Sequence, residues 1–142
     1  MTIPGSLVSA SEADTRDAGR RLAASLGGGE LVILTGPLGA GKTVFVRGLA
    51  EGLGVDPAAV RSPTFVLHHV YTGGRLTLHH LDLYRLADDA DLRVLDVDEL
   101  LDAGDVVAVE WGERPGLRAT AAWAVVIELD GDGRRISVEA GP

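Results

Sequence analysis

Cysteine is absent from this chain, which removes disulfides, thiolate metal sites and cysteine nucleophiles from consideration. Asparagine and glutamine are also absent, and the 13 basic residues comprise one lysine and otherwise only arginine. Guanine-specific P-loop switches read their base with an Asn-Lys-x-Asp motif and orient water with Gln, so neither device can be built here. No apolar run is long enough to span a bilayer. Met1 to Ala10 has neither a basic segment nor a long apolar core, so no signal peptide is expected. These absences fit a cytoplasmic protein with no membrane association. The formal net charge of -8 leaves too little clustered Lys and Arg for nucleic-acid binding by this chain alone.

What is present fits one domain over residues 1–142: 46% of the residues are apolar, enough for a sizeable core. Ser9 with Glu12 has capping-box spacing and predicts a helix through Ala18, Leu22, Ala23 and Leu26, ending at Gly27-Gly28-Gly29. Glu30 to Thr35 reads as a buried strand, and Val46, Leu49, Ala50 and Leu53 place a second helix before Gly54. Arg61 to Thr64 is a predicted loop, because Pro63 pushes Ser62 out of helical geometry. Phe65 to Tyr71 and Leu76 to Asp82 read as strands joined by a turn at Thr72 to Arg75. The Asp- and Leu-rich stretch Ala87 to Leu101 suggests one or two short helices. Val106 to Val109 is a further buried strand. Two tail strands, Ala122 to Leu129 and Arg134 to Glu139, flank an Asp130-Gly131-Asp132-Gly133 turn. The predicted class is α/β, with a mixed parallel and antiparallel sheet flanked by helices.

Between the first buried strand and the second helix lies Gly36-Pro37-Leu38-Gly39-Ala40-Gly41-Lys42-Thr43. Strand, glycine loop and helix is the context a P-loop requires. Its glycines let successive backbone N–H groups face phosphates, its Lys42 would reach the β- and γ-phosphates, and its Thr43 hydroxyl would bind Mg²⁺. Chance supplies roughly two such matches per thousand sequences of this composition. The single Lys of the chain falls at the P-loop position, where Arg cannot replace a compact ammonium without altering the geometry. The nucleotide is therefore expected to be ATP.

A P-loop enzyme needs a second handle on Mg²⁺ and a group that positions water. Asp82 and Glu110 each follow an apolar strand, and either could be that handle. Trp111, beside Glu110, is either a platform for adenine or a partly buried core residue. His68, His69, His79 and His80 fall on two predicted strands, where adjacent residues face opposite sides, so each pair puts one histidine on each face and a metal site is not expected. Asp88, Asp89 and Asp91, with Asp96, Asp98 and Glu99, lack the spacing and glycine of a calcium loop and read as a solvated acidic face.

Four segments in order carry a more specific signal: Gly36 to Thr43, Ser62-Pro63-Thr64-Phe65, His80-Leu81-Asp82-Leu83-Tyr84-Arg85 and Val109-Glu110-Trp111. Together they resemble the TsaE (YjeE) family, the ATPase subunit of bacterial tRNA threonylcarbamoyladenosine synthesis, over most of the chain. The resemblance implies a small cytoplasmic ATPase that acts with the transferase subunit TsaD and its non-catalytic relative TsaB. It meets tRNA only through that assembly and does not perform the transfer itself. By position it implies Thr43 and Glu110 as Mg²⁺ ligands, Asp82 as the acid assisting hydrolysis, and Trp111 as the adenine stacker. Ser62 and Thr64 would belong to a loop that senses the γ-phosphate. Tyr84 and Arg85 would be structural or partner-facing, and Arg134, matching an Arg of the last hairpin, could approach the nucleotide but is expected at the surface. The chain departs from the family at His68-His69 and in a short segment from Gly112 to Ala121. The alternative is a small-molecule P-loop kinase, for which 142 residues leave little room for an Arg-bearing lid and a substrate pocket.

Overall fold

The computed structural model describes residues 5–37, 39–60, 68–82, 96–111 and 120–141. The elements are β1 (Gly5–Ser9), α1 (Glu12–Ala23), β2 (Leu31–Thr35), α2 (Lys42–Gly52), a 3-10 turn (Pro57–Ala59), β3 (His68–Tyr71), β4 (Leu78–Asp82), α3 (Val97–Asp102), β5 (Val106–Glu110), β6 (Trp123–Asp130) and β7 (Gly133–Ala140). The strands form one sheet in the order β1-β7-β6-β2-β5-β4-β3. The four inner strands β6, β2, β5 and β4 run parallel, and β7, β1 and β3 join antiparallel at the margins. The mixed α/β sheet expected from the sequence is therefore the one observed.

β2 is the centre because its side chains are apolar on both faces, and a parallel strand covered on both sides needs that. Its Val32 and Leu34 face a core with Leu22 of α1 and with Phe45, Val46 and Leu49 of α2. Its Leu31 and Ile33 face a smaller core with Leu81, Val107 and Val109, against which Val97, Leu100 and Leu101 of α3 pack. Phe45 is fully buried, and its truncation to Ala would cost about 3–5 kcal/mol.

α1 and α2 touch backbone to backbone. A Cβ at Gly48 would sit on the carbonyl oxygen of Arg16, and one at Gly19 would sit on that of Phe45. From the turn between β3 and β4, the Arg75 guanidinium donates to the carbonyls of Ala23 (2.6 Å) and Leu26 (2.7 Å), satisfying acceptors at and just beyond the end of α1.

Two expectations are corrected at the start of the chain. The N-cap of α1 is Ser11, whose Oγ accepts from Asp14 N at 3.2 Å, while the Asp14 carboxylate accepts from Ala10 N at 2.9 Å. Ser9 instead ends β1, a strand the sequence reading lacked, and its Oγ pairs with Thr15 Oγ1 at 2.7 Å and donates to Ser11 O at 2.8 Å. Pairing with β7 holds Ser9 in the ladder and moves the helix start two residues on. α1 also stops at Ala23, short of the glycines. The predicted loop at Arg61 to Thr64, the start of the strand from Phe65, and residues 87–95 of the acidic stretch lie outside the described residues.

Candidate active site

The turn from β2 into α2 is built by backbone that other residues resist. Gly36 has φ 150°, and a Cβ there would meet the carbonyl oxygen of Ile127 on β6. Gly41, the N-cap of α2, has φ 109° in the left-handed region. α2 thus begins directly on Lys42 and Thr43, with its unsatisfied N–H groups at the loop. Leu38 lies outside the described residues; Gly36, Pro37, Gly39, Ala40, Gly41, Lys42 and Thr43 are all in place on this turn.

Lys42 is 95% buried, and its Nζ donates to the carbonyls of Gly36 (2.6 Å) and Pro37 (3.0 Å). The same ammonium lies 4.1 Å from the centroid of the Trp111 ring, a cation–π contact. Trp111 has φ 62°, an uncommon conformation for a bulky residue, fixed by donation from its N–H to Leu34 O at 2.9 Å. The indole therefore sits beside the Lys42 ammonium, half-buried against the α3-side core.

Asp82 and Glu110 end neighbouring parallel strands and are register partners, so their side chains share the face that looks toward α2. Thr43 Oγ1 donates to Glu110 Oε2 at 3.0 Å, with Oε1 at 3.3 Å. A hydroxyl beside a carboxylate is a hard-oxygen pair of the kind Mg²⁺ takes, the remaining positions going to phosphate and water. On this donor chemistry Thr43 and Glu110 fit the ion. From the core side His80 Nε2 lies 2.5 Å from Glu110 Oε2.

Lys42, Thr43, Asp82, Glu110 and Trp111 line one end of a cavity of about 670 Å³. The other end is walled by Ser9 to Glu12 and Thr15, from the β1–α1 corner, and by Asp132 to Arg134 at the β6–β7 turn. Arg134 is half-buried, and its guanidinium donates to Ala40 O (3.1 Å) and Gly39 O (3.2 Å), bracing the P-loop from a distant strand. Nothing local in the sequence marks this wall, because it is assembled by β1 pairing with β7. Ser62 and Thr64, with Tyr84 and Arg85, lie outside the described residues.

On the opposite face of β4, His79 Nε2 lies 2.8 Å from Asp105 Oδ2, and His79 Nδ1 lies 2.8 Å from His68 Nε2. Among the described residues no group of three or more His, Cys, Asp or Glu is arranged to hold a metal. Also among them, no helix is long and apolar enough to cross a membrane.

Comparison with known proteins bears on the whole of this arrangement. Residues 9–136 match the family model described as "Threonylcarbamoyl adenosine biosynthesis protein TsaE". The chain is 52% identical to a tRNA threonylcarbamoyladenosine biosynthesis protein TsaE of Streptomyces coelicolor, over 69% of this chain and 67% of that one. It is 47% identical to the protein of that name from Treponema pallidum (75% and 78% covered) and 36% identical to that from Nostoc (89% and 79% covered). The fold is similar to the crystal structure of YdiB from Bacillus subtilis, with TM-score 0.76 and 29% identity over 97% of this chain and 86% of that one.

Proposed function

The chain belongs to the TsaE family, and on that footing we propose that it is a magnesium-dependent ATPase that serves tRNA threonylcarbamoyladenosine synthesis without performing the transfer. One observation carries the chemistry: Lys42 and Thr43 open α2 beneath a cavity, with Glu110 Oε2 3.0 Å from the Thr43 hydroxyl and Asp82 beside it in register. Phosphoryl transfer asks a protein mainly for positioning and charge stabilisation, and these residues supply both.

In this reading Lys42 leaves the carbonyls of Gly36 and Pro37 for the β- and γ-phosphates of ATP. Thr43 and Glu110 hold Mg²⁺, which neutralises phosphate charge when bound. Asp82 orients the attacking water in line with the γ-phosphate. The loop containing Ser62 and Thr64 senses that phosphate and changes the surface offered to TsaD and TsaB, through which tRNA is met. In this reading the ribose and base lie toward Ser9 to Glu12 and Asp132 to Arg134, which line the same cavity. Stacking of Trp111 on adenine, the role that the family resemblance implies, requires its ring to be released by Lys42, which it now covers. No observation favours the small-molecule kinase.

The test is ATP turnover by the chain alone and with TsaB and TsaD added. A clear rise with the partners is expected. Failure of the pure chain to bind ATP, or no rise together with no complex by size-exclusion chromatography, would refute the reading. In a Trp123→Phe chain, ATP addition should change the remaining Trp111 fluorescence; an unchanged spectrum at saturating ATP would remove Trp111 from the site.

A further inference from the structure

His80 is among the most completely buried polar side chains of the described residues, at 0% exposure, yet it does not line the cavity. It sits on the face of β4 that it shares with Asp82, opposite Ala108 of β5 in the ladder, two residues before the Asp82–Glu110 pair. The small side chain of Ala108 leaves the imidazole free to reach diagonally to Glu110, where Nε2 lies 2.5 Å from Oε2. The carboxylate offers only acceptors, so this short contact requires the tautomer with hydrogen on Nε2. Among the described residues Nδ1 has no hydrogen-bond partner.

Packing does not account for this residue. An apolar side chain of similar volume would fill the space beside Tyr71 without leaving a buried nitrogen unsatisfied, a defect that ordinarily costs about 1–3 kcal/mol. Among the described residues, the one side-chain hydrogen bond that His80 makes is to the Glu110 carboxylate, which lines the cavity. Thr43 approaches the same oxygen from the cavity side, at 3.0 Å, so Glu110 is gripped between a group of α2 and a group inside the core. A metal-ligating carboxylate gripped from behind in this way presents its oxygens in one orientation, and loss of such a support typically weakens metal affinity 10–100-fold.

We propose that His80 is a positioning residue for the divalent cation: its Nε2–H orients Glu110 so that Glu110 and Thr43 together present their oxygens to Mg²⁺. The inference rests on the magnesium nucleotide reading of the site. It assigns to the first residue of His80-Leu81-Asp82 a task separate from that of Asp82, since Asp82 lines the cavity and His80 does not.

The test uses the full chain and a fluorescent, non-hydrolysable ATP analogue, with the dissociation constant measured in EDTA and across a Mg²⁺ titration. Three variants are compared with the unchanged chain. Gln can place its amide nitrogen near Nε2 and keep the donor; Asn places it near Nδ1 and loses it; Leu removes it altogether. His80→Asn and His80→Leu should raise the Mg²⁺ midpoint about 10–100-fold while leaving affinity in EDTA within about three-fold, and His80→Gln should restore the midpoint to within about three-fold. If His80→Leu does not fold, the Gln and Asn variants decide the matter, because both bury a polar amide and differ only in where the donor sits. Equal midpoints for all folded variants, or an equal loss of affinity with and without Mg²⁺, would overturn the proposal. If the unchanged chain binds the analogue no better in Mg²⁺ than in EDTA, the underlying magnesium reading fails instead, and the two failures are told apart by that control.

Discussion

His79 and His80 are neighbours in sequence and have almost nothing in common in space. His80 faces α2 and reaches Glu110 at the nucleotide site, whereas His79 faces the other way and links Asp105 to His68 at the sheet margin. Arg134 and Arg135 repeat the pattern on β7. Arg134 braces the carbonyls of Gly39 and Ala40, while the exposed Arg135 makes a 3.4 Å ion pair with Asp130. The alternation of a strand thus divides a repeated residue type between a face that serves chemistry and a face that serves the sheet. Residue type alone says nothing about which is which; strand register does.

The comparison is sharpest for the carboxylates. Asp82→Ala should reduce ATP turnover about 10²-fold or more while ATP binding is nearly kept, whereas Asp105→Ala, on the His79 side, should lower thermal stability and leave turnover per folded molecule unchanged. Steady-state kinetics with a binding isotherm for both variants would check this, and equal losses of turnover would break the distinction between the faces. Next in size, Arg134→Ala should weaken nucleotide binding about ten-fold, since the loop carbonyls lose charge-assisted donors, while Arg135→Ala should change binding and stability by less than about 0.5 kcal/mol. Equal effects of the two substitutions on a nucleotide titration would refute the assignment.

The smallest effect is a pH dependence on the far face. Burial is the main cause that holds the His68 imidazole below its ordinary pKa, followed by the charge of His79 and then of His69. The folded chain therefore binds this proton less readily than the unfolded chain. The stability it contributes is complete above about pH 6.5, is lost as pH falls from there toward the depressed folded value, and changes no further below it. His68→Gln should flatten the fall in melting temperature between about pH 7 and pH 5.5, measured by thermal melts. An unchanged slope would show that the array does not sense protons.

Much of this was legible in the sequence, and the boundary is physical. β2 and β5 announce themselves because parallel strands buried on both faces are continuous apolar runs, and the β6–β7 hairpin because its turn carries its own glycines. The P-loop is legible because all its parts are contiguous. β1 was not: five residues, two of them serine, become a strand only through their ladder with β7, and that pairing moved the helix cap from Ser9 to Ser11. The bracing of Gly39 and Ala40 by Arg134, across more than 90 residues of chain, has no local signal either. The His80 contact depends on the register of β4 against β5, which no spacing rule supplies.

The backbone contact between α1 and α2 bears on anyone who sets out to make this protein more robust. Glycine inside a helix is usually the first residue exchanged for alanine, because the change restricts the unfolded chain and gains about 0.4–1 kcal/mol. At Gly19 and Gly48 the sign reverses, since the new methyl group would land on the carbonyl of the facing helix. A stabilisation campaign guided by helix propensity alone would pry apart the helix that begins at Lys42 and the helix whose start walls the same cavity. It would damage ligand binding from a distance, at positions that touch no ligand.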